Sequence, residues 1–337
     1  MDRMLTLADV QEARRRFAGV VRYTPLEVSR TISDLLGRRI YFKMENLQRT
    51  GSFKLRGAYN KISRLPNGGC GVIAASAGNH AQGVALAAGR RGIPATVVMP
   101  RTTPRSKIEA AVGYGARVIL AGRDYGEAST VAERMAKKTG AHLIPAFEDP
   151  EIVAGQGTIG FEILEHLPDV DAVLVPTGGG GLISGVSLVL KNLKPDTRVI
   201  GVAVRAAPAL FLARRNGRIR GVPVKITLAE GIAVKRPGDL NFRYIERFVD
   251  DIVLVDEQEI AVAILLILTR TKTVVEGAGA VGLAALLMDR VGLYGRRVAV
   301  ILSGGNIDAA AIIRLAAAAK KLPIGQDSNK WRRKFLP

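Results

Sequence analysis

The stretch 172–185, AVLVPTGGGGLISG, sets the architecture. Its first five residues form a short, uninterrupted apolar run, the pattern of a strand covered on both faces. Four consecutive glycines follow, Gly178, Gly179, Gly180 and Gly181, and then an apolar helical pattern begins at Leu182. Such a run leaves backbone N–H groups free to converge, and the helix adds its positive N-terminal end, so strand, loop and helix together read as a phosphate cradle. A plain strand-to-helix turn is the other reading, but it normally needs one or two glycines rather than four. The loop is neither G-x-G-x-x-G nor G-x-x-x-x-G-K-[ST], so dinucleotide and triphosphate readings lose their main support.

The same pattern recurs outward in both directions. Residues 71–75 (GVIAA) lead into SAGNH and an alanine-rich helix ending near Gly92. Residues 95–99 (ATVVM) and 116–120 are further strand candidates, the latter before a polar helix at 125–139. Two more lie at 199–204 (VIGVAV) and 298–302 (VAVIL). Strands alternating with helices predict an α/β fold with parallel sheets. In open sheets of this kind ligands sit at the carboxyl ends of the strands. The loops SAGNH, TGGGGL and SGGN all fall there.

Composition narrows the classes. The chain has 337 residues, enough for about two domains or one large α/β unit. Apolar residues make up 48%, which excludes a mainly disordered chain. The net charge is +19, but the bases are scattered and aromatics are only 5%, so a nucleic-acid partner is not expected. One concentration exists: residues 313–337 hold seven bases and one acid. That segment could bind polyanions, and a solvated terminus is the simpler reading. The single cysteine, Cys70, forms no internal disulfide and fits a reducing compartment. His80, His142 and His166 make no metal cluster with it, so no metal is expected. The longest apolar run, 260–268, is short of the ~20 residues that span a bilayer. The first residues lack the basic-then-apolar order of a signal peptide, so a cytoplasmic protein is expected.

Residues 45–58 read ENLQRTGSFKLRGA. Lys54 stands among Gly51, Ser52 and Phe53, with Gly57 shortly after. A lysine among small residues can enter a pocket closely approached by backbone. When partly desolvated it loses its proton readily and becomes a nucleophile able to form an imine. Taken alone, it reads first as one of many surface lysines, and only the spacing of its neighbours changes that.

Together the motifs resemble the fold-type II pyridoxal-phosphate enzymes, the tryptophan synthase β group, and within it the short-form threonine/serine dehydratases. The resemblance runs from about residue 8 to about residue 312. Its carriers, in the family's order, are ENLQRTGSFKLRGA, SAGNHAQGVA at 76–85, DPEIVAGQGTIGFEI at 149–163, PTGGGGLISG at 176–185, TLAEGIAVKRPG at 227–238, VVEGAGA at 274–280 and LSGGNID at 302–308. It implies pyridoxal 5′-phosphate as cofactor, joined covalently to Lys54. It implies Phe53 packed against the pyridine ring and Asn79 donating to the cofactor's 3′-oxygen. Gly178 to Gly181 and the Leu182 backbone would hold the phosphate, and Ser303 would partner the pyridine nitrogen. Ser76, Ala77, Asn79 and His80 lie on the loop expected to receive the substrate carboxylate. Gly231 and Glu276 fall near the cofactor, although Glu276 also reads as a charge at a helix N-terminus.

The implied reaction is loss of the β-hydroxyl from L-threonine or L-serine, giving a 2-oxo acid and ammonia, with Lys54 as general base. A serine at the pyridine nitrogen holds no proton there, which favours prompt elimination over aminotransfer. Racemisation needs a proton carrier on the face opposite the lysine. Related racemases supply it from the position that is Ala77 here, so elimination is the expectation and racemisation the alternative. A basic nucleic-acid-binding protein on a retired enzyme scaffold is the reading from another class; the intact Lys54, Asn79, Ser303 and glycine run speak against it. Several relatives bind a divalent cation through an acid at the position of Ala203, which has no side-chain oxygen. The resemblance implies a large cofactor-binding domain from 1–49 and 148–320, a small mobile domain at 50–147, a basic tail at 321–337, and a homodimer or homotetramer. The 25 residues after Ile312 are too few for the regulatory domain of longer relatives, so isoleucine feedback is not expected.

Overall fold

The computed structural model describes residues 3–17, 19–66, 69–292 and 297–318. The basic tail at 321–337 lies outside them. The strands are β1 (Leu26–Val28), β2 (Arg39–Lys43), β3 (Val72–Ala75), β4 (Ala95–Met99), β5 (Arg117–Leu120), β6 (His142–Leu143), β7 (Ala172–Pro176), β8 (Arg198–Val204), β9 (Asp251–Val255) and β10 (Arg297–Ile301). They form two sheets, of order β1-β2-β10-β7-β8-β9 and β5-β4-β3-β6. Every pairing is parallel except that of β1 with β2. The expected α/β architecture with parallel sheets is therefore present.

The helices are α1 (Leu7–Arg16), α2 (Arg30–Leu36), α3 (Lys54–Ser63), α4 (Asn79–Arg90), α5 (Arg105–Gly113), α6 (Tyr125–Thr139), α7 (Pro150–His166), α8 (Gly181–Leu193), α9 (Ala209–Asn216), α10 (Asp239–Phe248), α11 (Glu257–Leu266), α12 (Gly277–Leu287) and α13 (Ala309–Ala318). Their ends follow local chemistry. Asp124 caps α6 by accepting from the Glu127 N–H, and Gly140 closes it in the left-handed conformation. Asp149 caps α7 through the N–H groups of Glu151 and Ile152, and Pro150 supplies the first helical residue.

Burial explains the continuous apolar strands. Every residue of β7 is buried, as are six of the seven in β8. Both faces of the larger sheet are covered, one by a core containing Ile200, Val281 and Val300, the other by one containing Ile183, Val186 and Ala299. The 260–268 run forms most of α11 and enters a π turn at Ile267–Thr271. Among the described residues no helix is long and apolar enough to cross a membrane.

The chain leaves the larger sheet after β2, reaches the smaller through α3, and returns after β6 along residues 144–149. A buried charge cluster fixes the first passage. Arg56, fully buried, donates to Glu45 at 2.8 Å and to Glu162 at 2.6 Å. Lys43, also fully buried, pairs with Glu162 and donates to the Thr24 carbonyl at 2.6 Å. Two cations and two anions cancel, and each has hydrogen-bond partners, which is the condition for burying them. The cluster ties α3 to β2 and α7 only two residues beyond Lys54.

Candidate active site

Lys54 is the first residue of α3 and Phe53 is its N-cap. The Phe53 N–H donates to the Ser303 carbonyl at 3.1 Å, joining the start of α3 to the carboxyl end of β10. Across from it, α4 passes so close that a Cβ at Gly83 would lie 3.1 Å from the Lys54 carbonyl carbon. A side chain there would press on the backbone at Lys54. The Lys54 amine donates to the Ala146 carbonyl at 2.8 Å and lies 5.3 Å from the centre of the Phe53 ring. Burial pushes its pKa down from 10.5 to about 8, against the pull of the Glu276 carboxylate. An appreciable fraction of the amine is therefore neutral and nucleophilic near neutral pH.

The glycine loop leaves the carboxyl end of β7 and opens α8. None of the backbone N–H groups of Gly178, Gly179, Gly180, Gly181 and Leu182 donates to an acceptor among the described residues. Gly180 has φ +97°, a left-handed conformation that a side chain would oppose. Backbone donors of this kind at a helix N-terminus suit an anion.

A second set of free donors faces the cleft from the smaller sheet. The loop after β3 turns at Ser76, whose Oγ accepts from the Gly78 N–H at 3.2 Å. The N–H groups of Ala77, Asn79 and His80, at the start of α4, have no acceptor among the described residues. They can receive a carboxylate. His80 itself is buried, with Nε2 2.9 Å from the Ile144 carbonyl oxygen. Burial, with the nearby Lys54 charge, pushes its pKa down to about 3. The imidazole is neutral and brings no positive charge to the loop.

Asn79 is held at both ends of its amide. It donates to Glu276 Oε1 at 2.7 Å and accepts from Asn306 Nδ2 at 2.7 Å. Asn306 also donates to the Thr50 carbonyl at 2.8 Å. Glu276 precedes α12 and sits over Gly304, whose added Cβ would lie 2.6 Å from Oε1; the same oxygen is 3.4 Å from a Cβ placed on Gly231. Burial raises the Glu276 pKa to about 7, opposed by the Asn79 hydrogen bond. Ser303, 2% exposed, lies two residues beyond the end of β10, next to Gly304. The structure thus brings Lys54, Phe53, Asn79, Ser303, Gly231 and Glu276 together; Asn79 comes from the Ser76–His80 loop, and the glycine loop packs on Phe147, next to the Ala146 carbonyl that holds Lys54.

The pyridoxal-phosphate dependent enzyme model matches residues 18–304. The chain belongs to this family. As a pyridoxal-phosphate enzyme it is 54% identical over 314 residues to the L-threonine ammonia-lyase of Thermotoga maritima, covering 93% of this chain and 78% of that one. It is 43% identical to the catabolic L-threonine dehydratase TdcB of Escherichia coli, over 91% of this chain and 94% of that one. Among solved structures, a T.th. threonine deaminase superposes with a TM-score of 0.87 at 42% identity, covering 90% of this chain and 99% of that one. Maize serine racemase superposes with a TM-score of 0.89 at 35% identity, covering 95% of this chain and 99% of that one.

The cofactor's chemistry matches the groups present: a phosphate monoester for the backbone donors of the glycine loop, and an aldehyde for a lysine whose lowered pKa leaves part of it neutral. Several contributors escape a reading of the sequence. Gly83 and Asn306 lie inside quoted motifs but carry no signal of their own. Ala146 acts through its backbone, which no side chain betrays. Lys107 pairs with Glu230 at 2.6 Å across the cleft, a contact between positions far apart in the chain.

Proposed function

We propose that this pyridoxal-phosphate enzyme is an L-threonine ammonia-lyase that also acts on L-serine. The observation that carries the reading is a buried lysine of lowered pKa in a site with two sets of free backbone donors. One set suits the cofactor's phosphate and the other the substrate's carboxylate. L-threonine as substrate rests on the names of the most similar relatives.

When bound, the cofactor supplies an aldehyde for amine exchange and a ring that accepts electrons from the substrate's Cα. The N–H groups of Gly178 to Leu182 would hold its phosphate, Phe53 would pack against its ring and Ser303 would face its pyridine nitrogen. The N–H groups of Ala77, Asn79 and His80 bind the carboxylate and orient Cα–H toward Lys54. Lys54 Nζ, neutral once free, takes the Cα proton. The β-hydroxyl leaves with a proton as water, and water later returns as ammonia departs. The net change converts threonine to 2-oxobutanoate and ammonia, or serine to pyruvate and ammonia. Asn79, fixed by Glu276 and Asn306, keeps its second N–H available to the cofactor's 3′-oxygen.

In this reading residues 50–147 form a mobile small domain that closes on substrate and excludes water, and 1–49 with 148–320 form the large one. The two passages at 44–53 and 144–149 are the natural hinges. The enzyme works in the cytoplasm as a homodimer or homotetramer.

The likeness to serine racemase favours one alternative. Racemisation needs a proton carrier opposite Lys54, and Ala77 offers none. The discriminating experiment is to supply L-serine and measure pyruvate and D-serine together. Pyruvate in large excess supports elimination, and Ala77→Ser should raise the D-serine share. D-serine formed as fast as pyruvate by the unaltered enzyme would transfer it to the racemases.

A further inference from the structure

We propose that Asn241 is a positioning residue that turns the glycine loop into its phosphate-binding orientation. The proposal rests on the reading of Gly178 to Leu182 as the phosphate cradle and says what builds it.

Asn241 lies in the first turn of α10 and is fully buried. Its Nδ2 donates to the Gly179 carbonyl at 2.8 Å and to the Phe147 carbonyl at 3.1 Å. The Gly179 carbonyl also accepts from the Gly238 N–H at 3.3 Å. Two donors from the start of α10 thus draw this carbonyl to their side. A trans peptide sets its C=O and the following N–H in opposite directions, and the described residues contain no cis bond. The N–H of Gly180 therefore points away from α10, toward the open side of the loop, where it has no acceptor among the described residues.

Sterics act with the hydrogen bonds. A Cβ at Gly180 would lie 2.8 Å from the Asn241 Cβ, so the side chain fills the space behind the loop. The backbone carbonyl of Asn241 accepts from Ser184 Oγ at 3.2 Å, fixing α10 against α8. The other amide atom, Oδ1, is buried without a partner. An unpaired buried acceptor is unfavourable. The amide keeps this orientation because reversing it would set its oxygen against two carbonyl oxygens. Asn241 is thus placed by what its NH2 group holds. It touches the loop from behind, and acts on the phosphate through the Gly179–Gly180 peptide.

The test replaces the donor while keeping the shape. Full-length wild type and Asn241→Asp, freed of cofactor, are titrated with pyridoxal 5′-phosphate and with pyridoxal, which lacks the phosphate, and their thermal unfolding is recorded without ligand. We expect Asn241→Asp to lose at least ten-fold in affinity for pyridoxal 5′-phosphate and less than two-fold for pyridoxal. An unchanged ratio of the two affinities, or an equal loss for both, overturns the proposal and leaves Asn241 a packing residue. If the wild type itself does not prefer the phosphorylated form, the cradle reading fails first. Should Asn241→Asp not fold, Asn241→Ser takes the same test; failure of both to fold assigns the residue to folding and also overturns the proposal.

Discussion

The amine of Lys54 donates to the carbonyl oxygen of Ala146 at 2.8 Å. The lysine at the head of α3 is thereby held by the segment on which the chain returns to the larger sheet. The same segment offers the Ile144 carbonyl to His80 and the Phe147 carbonyl to Asn241, and Glu148 accepts from the Asp239 N–H at 2.6 Å. Five residues thus connect the lysine, the Ser76–His80 loop, the glycine loop and the start of α10. A shift of this segment would be felt at every part of the cleft.

The lowered pKa of Lys54 has a measurable consequence in cofactor-free protein. Burial disfavours the charged amine, so the neutral form predominates above about pH 8 instead of above 10.5. The fraction of reactive amine should rise with pH and level off past 8. Stopped-flow rates of pyridoxal 5′-phosphate capture, taken across pH 6–10.5, report it. A rate still climbing steeply at pH 10 would mean that the amine is solvated.

Glu276 should make the cofactor-free protein less stable as pH rises. Its folded pKa of about 7 stands above the ordinary 4.5, so the folded state binds the proton more tightly. The stability this group contributes is complete below 4.5 and is lost as pH passes through 7. The full shift corresponds to at most about 3 kcal/mol. Glu276→Gln keeps an acceptor for Asn79 and removes the titration. Urea unfolding should show the variant gaining on wild type between pH 5 and 8; a pH-independent difference would refute the shift.

The charge cluster beneath Lys54 should tolerate no single deletion. Arg56→Met leaves Glu45 and part of Glu162 buried without their main donor. Breaking a buried pair in this way costs about 3–5 kcal/mol. Urea unfolding midpoints measure it directly, and a loss below 1 kcal/mol would show that water reaches the cluster.

The Lys107–Glu230 contact spans the cleft at 2.6 Å, but the Glu230 side chain is 72% exposed. Exposed pairs contribute roughly 0–1 kcal/mol. Lys107→Ala should therefore raise KM for threonine only a few-fold, less so at high salt, with kcat little changed. A hundred-fold fall in kcat would place Lys107 in the chemistry instead.

Much of this was legible in the sequence because parallel strands buried on both faces need continuous apolar residues. The strands at 95–99 and 172–176 and the helix at 125–139 fall where the pattern places them. The others stated shift by a residue. The edge strand Leu26–Val28 is too short to carry a pattern, and the two residues of β6 are exposed. The RIYFK of β2 has a charge at each end and only three residues between them, and the DIVLV of β9 has no glycine near either end to mark it. In the cleft, residues that present side chains or run in glycines announced themselves, Lys54 and the glycine loop above all. Those that act through a carbonyl, such as Ala146, or from behind the loop, such as Asn241, needed coordinates. Their partners lie 92 and 62 residues away in the chain.

The most direct test of the central claim is the release of 2-oxobutanoate from L-threonine by the purified, cofactor-loaded enzyme and by its Lys54→Ala variant. Steady release by the wild type, with a loss of several orders of magnitude in the folded variant, is the predicted result. No 2-oxobutanoate from the loaded wild type, or undiminished release by Lys54→Ala, would contradict the assignment of both the reaction and its lysine.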